Sequence, residues 1–146
     1  MSKAKANISE QATSILRTKI FDSDISILIA KYVELKNKGW QVFAVDQQRG
    51  RCYYSDKVIT VPVWALQSDK KGYWIYYLSH EIAHAYCGYG AGHGLQFQEK
   101  LKEICPEEYL HYELDYKPAF AAAAGISRKE IELQQNQISF NPGDYL

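Results

Sequence analysis

Apolar residues in the N-terminal part of the chain recur at the spacing of helices. Asn7, with Glu10 three positions on, has the form of a capping box, and "ISEQATSILRTKIF" continues with helical apolar spacing. A second N-cap lies at Asp22 to Asp24, followed by Ile25, Leu28, Ile29, Tyr32, Val33 and Leu35 as an apolar stripe that stops at Lys38 and Gly39. From Trp40 the period shortens. "WQVFAV" is rich in strand formers, "DQQRGR" supplies a turn, and "CYYSDKVITVPVWAL" reads as extended, with room for two strands around Ser55 to Lys57. Antiparallel pairing is expected for these short neighbours. Pro62 cannot donate to a ladder, which assigns "VITVPVW" to a sheet edge.

Helical periodicity returns in "SDKKGYWIYYLSHEIAHAYCG", which has Ser68 and Asp69 as caps and Gly88 as its stop. Trp74, Leu78, Ile82 and Ala85 define one buried face of that helix, and His80 and His84 fall on the other side. A further helix is expected from about Leu95 to Ile104, stopped at Pro106. Two more follow, Pro118 to Ala124 before Gly125, and Ser127 to Gln137 opened by the capping box Ser127 and Glu130. The expected fold is α+β in one domain over residues 1–146, with N-terminal helices, a small antiparallel sheet, a motif-bearing helix and C-terminal helices.

Composition narrows the function classes. A 146-residue chain with 47% hydrophobic residues can build a real core, and 17 basic against 17 acidic residues leave no net charge to draw it to nucleic acid or anionic membranes. Only a local basic patch stays open. The start "MSKAKANISE" lacks an apolar segment after its lysines, and no run of about eighteen apolar residues occurs, so an intracellular, cytoplasmic protein without membrane association is expected. Cys52, Cys87 and Cys105 form no CxxC pair, which fits reduced thiols and excludes a zinc ribbon.

The chemistry concentrates in "HEIAHAYCGYGAGHG", His80 to Gly94. At about 100° per residue, His80 and His84 sit about 40° apart on a helix, one turn above the other, so both imidazoles can reach one ion. Glu81, offset by about 100° from His80, is placed to flank the ion as a base and not as a ligand. His93 is the best third ligand, because Gly88, Gly90, Gly92 and Gly94 let the chain leave the helix and turn back. Three imidazoles with an open position for water are the requirement of catalytic Zn²⁺, whose bound water ionises near neutrality and could pass its proton to Glu81. Peptide hydrolysis is the natural reaction. Magnesium or calcium would need carboxylate-rich cages, and these are absent from the motif.

Blander assignments are preferred for the remaining candidates. Cys87 is read as a core residue, His111 as a surface or hydrogen-bonded histidine, and Glu99, Glu103, Glu107 and Glu108 as a solvated face, with Glu99 or Glu103 the fallback ligand should His93 fail. Tyr77 and Tyr89 are candidates to stabilise an oxyanion. A catalytically idle binding module and a zinc hydrolase of non-peptide bonds are the competing functions.

His80, Glu81, His84, Ala85, Tyr86, then His93, Gly94 and Phe97, read as HExxHAY and HGxxF, resemble the SprT-like zinc metalloproteases, which include the Spartan-type DNA–protein crosslink proteases. The likeness extends more weakly over roughly Ser23 to Ile104. It implies a minimal zincin-like fold, His80, His84 and His93 as zinc ligands, Glu81 as the base, and a peptide substrate extended along the strand near Ile59 to Val63. Many members of that family carry a C-terminal zinc ribbon or a basic DNA-binding tail. The stretch "KPAFAAAAGISRKEIELQQNQISFNPGDYL" has neither, so the resemblance implies a protein or peptide substrate and leaves DNA association without an element to carry it.

Overall fold

The computed structural model describes residues 7–110 apart from 69 and 71. His111 and the two helices expected between Pro118 and Gln137 lie outside the described residues, as does Asp69 as a cap. The architecture is α+β. Helices α1 (Glu10–Asp22) and α2 (Ser26–Asn37) precede strands β1 (Gln41–Val45), β2 (Arg51–Tyr53) and β3 (Val58–Pro62). After them come α3 (Val63–Gln67), α4 (Gly72–Cys87) and α5 (Leu95–Ile104).

Ser9, not Asn7, caps α1: its side chain accepts from the Ala12 backbone N–H at 3.1 Å. Asn7 instead stands at φ 61°. Its neighbour Ile8 forms an isolated bridge with Val45, and the cap sits two residues later than the sequence pattern implies. On α2 the stripe residues Leu28, Tyr32 and Leu35 are buried, whereas Val33 stays at the surface.

The sheet departs from expectation. Its strand order is β1-β3-β2, with β2 antiparallel and β1 parallel to β3, so it is mixed and not antiparallel throughout. The segment expected at an edge is therefore the central strand. Pro62 is tolerated because it is the last residue of β3, paired with Val45 at the end of β1, and the chain turns into α3 at Val63. All five β3 residues are buried, as expected of a strand covered on both faces.

The two flanking strands are treated differently. Along the outer side of β1, Ser9 N donates to Ala44 O (2.9 Å), Ala44 N donates to Thr13 Oγ1 (2.9 Å), and Arg17 reaches Val42 O (3.3 Å), so α1 closes that edge. The outer side of β2 pairs with no strand among the described residues.

Helix α4 runs across β3 and β2 on one side and against α5 on the other. Trp74, Leu78 and Ile82 join the main core with Leu16, Ile20 and Ile59, as their spacing predicts, and Ala85 packs at its margin. The opposite face is also covered. Tyr76 and Ala83 pack with Phe97, Leu101 and Cys105 from α5 and its end. Every residue from Gly72 to His84 is buried, so the histidine face is interior, not solvent-facing.

Gly50 makes the close approach of β2 to β3 possible. A β-carbon there would collide with the Thr60 carbonyl oxygen and come within 3.1 Å of Tyr77 Cδ1. Gly50→Ala is expected to lower the unfolding free energy by about 2 kcal/mol or more in urea titrations, as overpacking against backbone does. Wild-type stability in the variant would show that β2 can yield without loss.

Candidate metal centre

The site forms at the end of α4 and the loop behind it. His80 and His84 leave the helix one turn apart and in the same direction. Gly88 ends the helix at φ 85° and Gly92 stands at φ 53°, both in the left-handed region that side chains resist. Between them lies a single 3-10 turn, Tyr89–Ala91. The remaining pair, Gly90 and Gly94, carry no positive φ, so two of the four glycines are needed for the bend. Gly94 begins α5, and Gln98 Nε2 donates to the His93 carbonyl oxygen at 3.1 Å, which ties the loop to the first turn of that helix.

This route brings the third imidazole to the first two. His84 Nε2 lies 3.2 Å from His80 Nε2 and 3.2 Å from His93 Nε2, and the triangle closes with 3.4 Å between His93 and His80. Each residue offers one ligand nitrogen, the three lie within 4.8 Å of one another, and the group could hold a metal ion. His80 and His84 are 7% and 0% exposed, and His93 is half-buried. The triangle is not a hydrogen-bond ring. A neutral imidazole Nε2 is either a donor or an acceptor, so among three such atoms at least one pair must be alike and repel. A cation at the centre removes that conflict by using all three lone pairs.

With Nε2 turned to the centre and its lone pair offered to an ion, Nδ1 of His80 would carry the proton and donate to Tyr76 Oη, 3.0 Å away. Tyr76 stands one turn before His80 on α4 and is itself buried, so it fixes the ring's tautomer and orientation. Phe97, four residues beyond His93 and 1% exposed, lies against all three imidazoles. Neither residue was singled out for a role at the sequence level. Their separation by four from a histidine on a helix or at a helix start was the available signal.

Glu81 is brought beside the triad but does not join it. It is 1% exposed, and its Oε1 is buried with no hydrogen-bond partner. Burial raises its pKa well above the usual carboxylate range, with the positive charge of Arg51 on β2 acting the other way. The charge of the same carboxylate also acts on the Cys52 thiol and the Tyr54 hydroxyl, secondary to their burial, and α4 packs against β2.

The other candidates are placed elsewhere. Cys87 packs at the edge of the Phe97 and Leu101 cluster, and burial raises its thiol pKa, as for an unreactive core thiol. Cys105 is pushed up to about 12 for the same reason, and all three cysteines are free. Glu99 is exposed, and Glu103 is engaged by Lys100 at 2.9 Å and Lys31 at 3.8 Å. Tyr77 is buried edge-on against Trp64, with 5.8 Å between centroids, while Tyr89 is 74% exposed and packs edge-on against Tyr54 at 5.7 Å. Among the described residues, no helix is long and apolar enough to cross a membrane.

Comparison of the chain with protein-family models, with curated proteins and with solved structures finds no match.

Tyr76→Phe removes the acceptor for His80 Nδ1 and keeps the ring. It is expected to lower affinity for a divalent transition metal by about 10-fold or more, in competition with a chromophoric chelator, with circular dichroism unchanged. Affinity equal to wild type would remove Tyr76 from the support of the centre.

Proposed function

We propose that this chain is a zinc-dependent metallopeptidase of SprT-like character, with His80, His84 and His93 as the zinc ligands, Glu81 as the general base and a protein or peptide as substrate. The observation that carries the proposal is the size of the nitrogen triangle. Ligands about 2.0–2.1 Å from a tetrahedral ion lie about 3.3–3.4 Å apart, whereas right-angled coordination at that length brings them to about 2.8–3.0 Å. The three Nε2 separations of 3.2, 3.2 and 3.4 Å favour the tetrahedral case. An all-imidazole set with no carboxylate suits zinc and disfavours magnesium or calcium.

Bound there, zinc would supply Lewis acidity, lowering the pKa of a coordinated water and polarising a substrate carbonyl. The protein supplies the rest. Glu81 follows the ligand His80 directly on α4, and its buried Oε1, with no protein donor committed to it, is the atom available to take a proton from water and return it to a leaving amine. Buried surroundings keep bulk water from competing for the carboxylate.

The substrate strand is reassigned by the sheet order. β3, including Ile59 to Val61, is paired on both sides and cannot accept a further strand. The outer side of β2 can, and Arg51, Cys52 and Tyr54 connect it to Glu81. An extended peptide adding along β2 gains main-chain hydrogen bonds beside the base.

Glu81→Gln is expected to keep about one zinc per chain and to reduce cleavage of an unfolded protein such as casein by about 10²–10⁴-fold, the usual contribution of a general base. Retained cleavage would remove Glu81 from the mechanism, and wild-type protein with zinc but no turnover on any peptide would favour a binding module. In His93→Ala, zinc content measured by atomic emission is expected to fall sharply. An unchanged load would exclude His93 as a ligand.

A further inference from the structure

The three ligand rings share one neighbour. The phenyl ring of Phe97 is stacked on His84, with centroids 4.3 Å apart and planes at 24°. The same ring meets His80 at 4.9 Å and 68°, and His93 at 5.0 Å and 86°. Phe97 is among the largest fully buried side chains of the protein and comes from the first turn of α5, directly behind the loop that carries His93.

An imidazole on a helix keeps freedom about its outer torsion unless something blocks it, because such terminal torsions have broad minima. His80 has the Tyr76 hydroxyl for that purpose, as described above. For His84, 0% exposed, a face-to-face neighbour at van der Waals distance limits rotation of the ring out of its plane. The edge-on contacts to His80 and His93 act from a second direction. One rigid ring is therefore a neighbour of every imidazole. Leu or Met would fill similar volume but offers no flat surface and more internal freedom.

We propose that Phe97 is a positioning residue for the histidine centre, a buried aromatic pedestal that holds the three imidazoles with their Nε2 atoms converged. This rests on the centre binding metal, as in the preceding section, and not on its hydrolysing peptides. Phe97 touches neither metal nor substrate in this role. It acts by limiting the geometries the ligands can reach, so its loss should loosen the centre more than it unfolds the protein.

The test compares Phe97→Leu with Leu101→Ala, a control in the same apolar cluster of α5. Each purified protein is stripped with chelator, examined for folding by circular dichroism, and titrated with Zn²⁺ against a chromophoric chelator and with Co²⁺ by visible absorption. Phe97→Leu is expected to fold, to bind zinc about 10–100-fold more weakly, in the range of losses for residues supporting metal ligands, and to show altered Co²⁺ ligand-field bands. Leu101→Ala is expected to lose thermal stability while keeping the wild-type Co²⁺ spectrum. Unchanged zinc affinity and spectrum in Phe97→Leu would overturn the proposal, as would an equal change in Leu101→Ala. Should Phe97→Leu fail to fold, Phe97→Met carries the comparison, and failure of both to fold in chelator would assign Phe97 to the core alone and overturn it. Wild-type protein that binds Co²⁺ but cleaves nothing would count against the peptidase, while the pedestal would still stand or fall on the two spectra.

Discussion

Three imidazole nitrogens cannot sit within 3.4 Å of one another on hydrogen bonding alone, and the organisation of α4, the loop after it and α5 follows from holding them there. Two of the nitrogens come from one helix and need only a separation of four residues. The third has to come from a different direction, because no residue of the same helix can approach from the side. Gly88 and Gly92 make the bend, and α5 then packs against α4, with Phe97 beside His80 and His84. The elements that deliver His93 also seal the centre from solvent. Burial of α4 on all sides and delivery of the third ligand are thus one structural event.

That burial has an energetic consequence. Ser79, His80, Glu81 and His84 are polar residues placed consecutively or within one turn, each 7% exposed or less, in a helix otherwise filled by Trp74, Leu78 and Ile82. Burying a polar group without a partner costs about 1–3 kcal/mol by mutational measures, and an ionised carboxylate costs more. A helix that served packing alone would be more stable with apolar residues at these positions. The unmatched Glu81 Oε1 is therefore a local conflict of the kind that proteins keep at functional sites.

Much of the fold was legible in the sequence, and the errors have specific physical causes. The bounds of α5, the stop of α4 at Gly88 and the core positions Trp74, Leu78 and Ile82 follow from caps, glycine and helical period. The HExxH spacing and the glycines around His93 likewise identified the residues that the fold brings together. Pro62 was misread because its missing N–H was treated as a property of the whole strand, when a strand's last residue can lack a donor at no cost. The unbroken β-branched run from Val58 to Val61 was the better guide to a central strand. The cover over the histidine face of α4 was not legible, because sequence periodicity cannot see α5 arriving over it. Helix α4 is apolar nearly all round its circumference, and that is the pattern of a buried helix.

The same oversight hid the contribution of the sheet edges. A three-stranded sheet has two edges, and exposed edges invite unwanted pairing, so each needs an account. The β1 edge is consumed by contacts from Ser9, Thr13 and Arg17, groups that lie 25 to 35 residues earlier in the chain and have no local signature of strand capping. Once α1 has taken that edge, β2 is left as the strand whose outer side meets no other strand among the described residues. β2 is short, and Gly50 holds it tight against β3. It is also packed, with β3, against α4. Closing one edge with α1, while no strand among the described residues covers the other, makes the sheet asymmetric, and that asymmetry depends on α1, an element with no residue in the histidine triad.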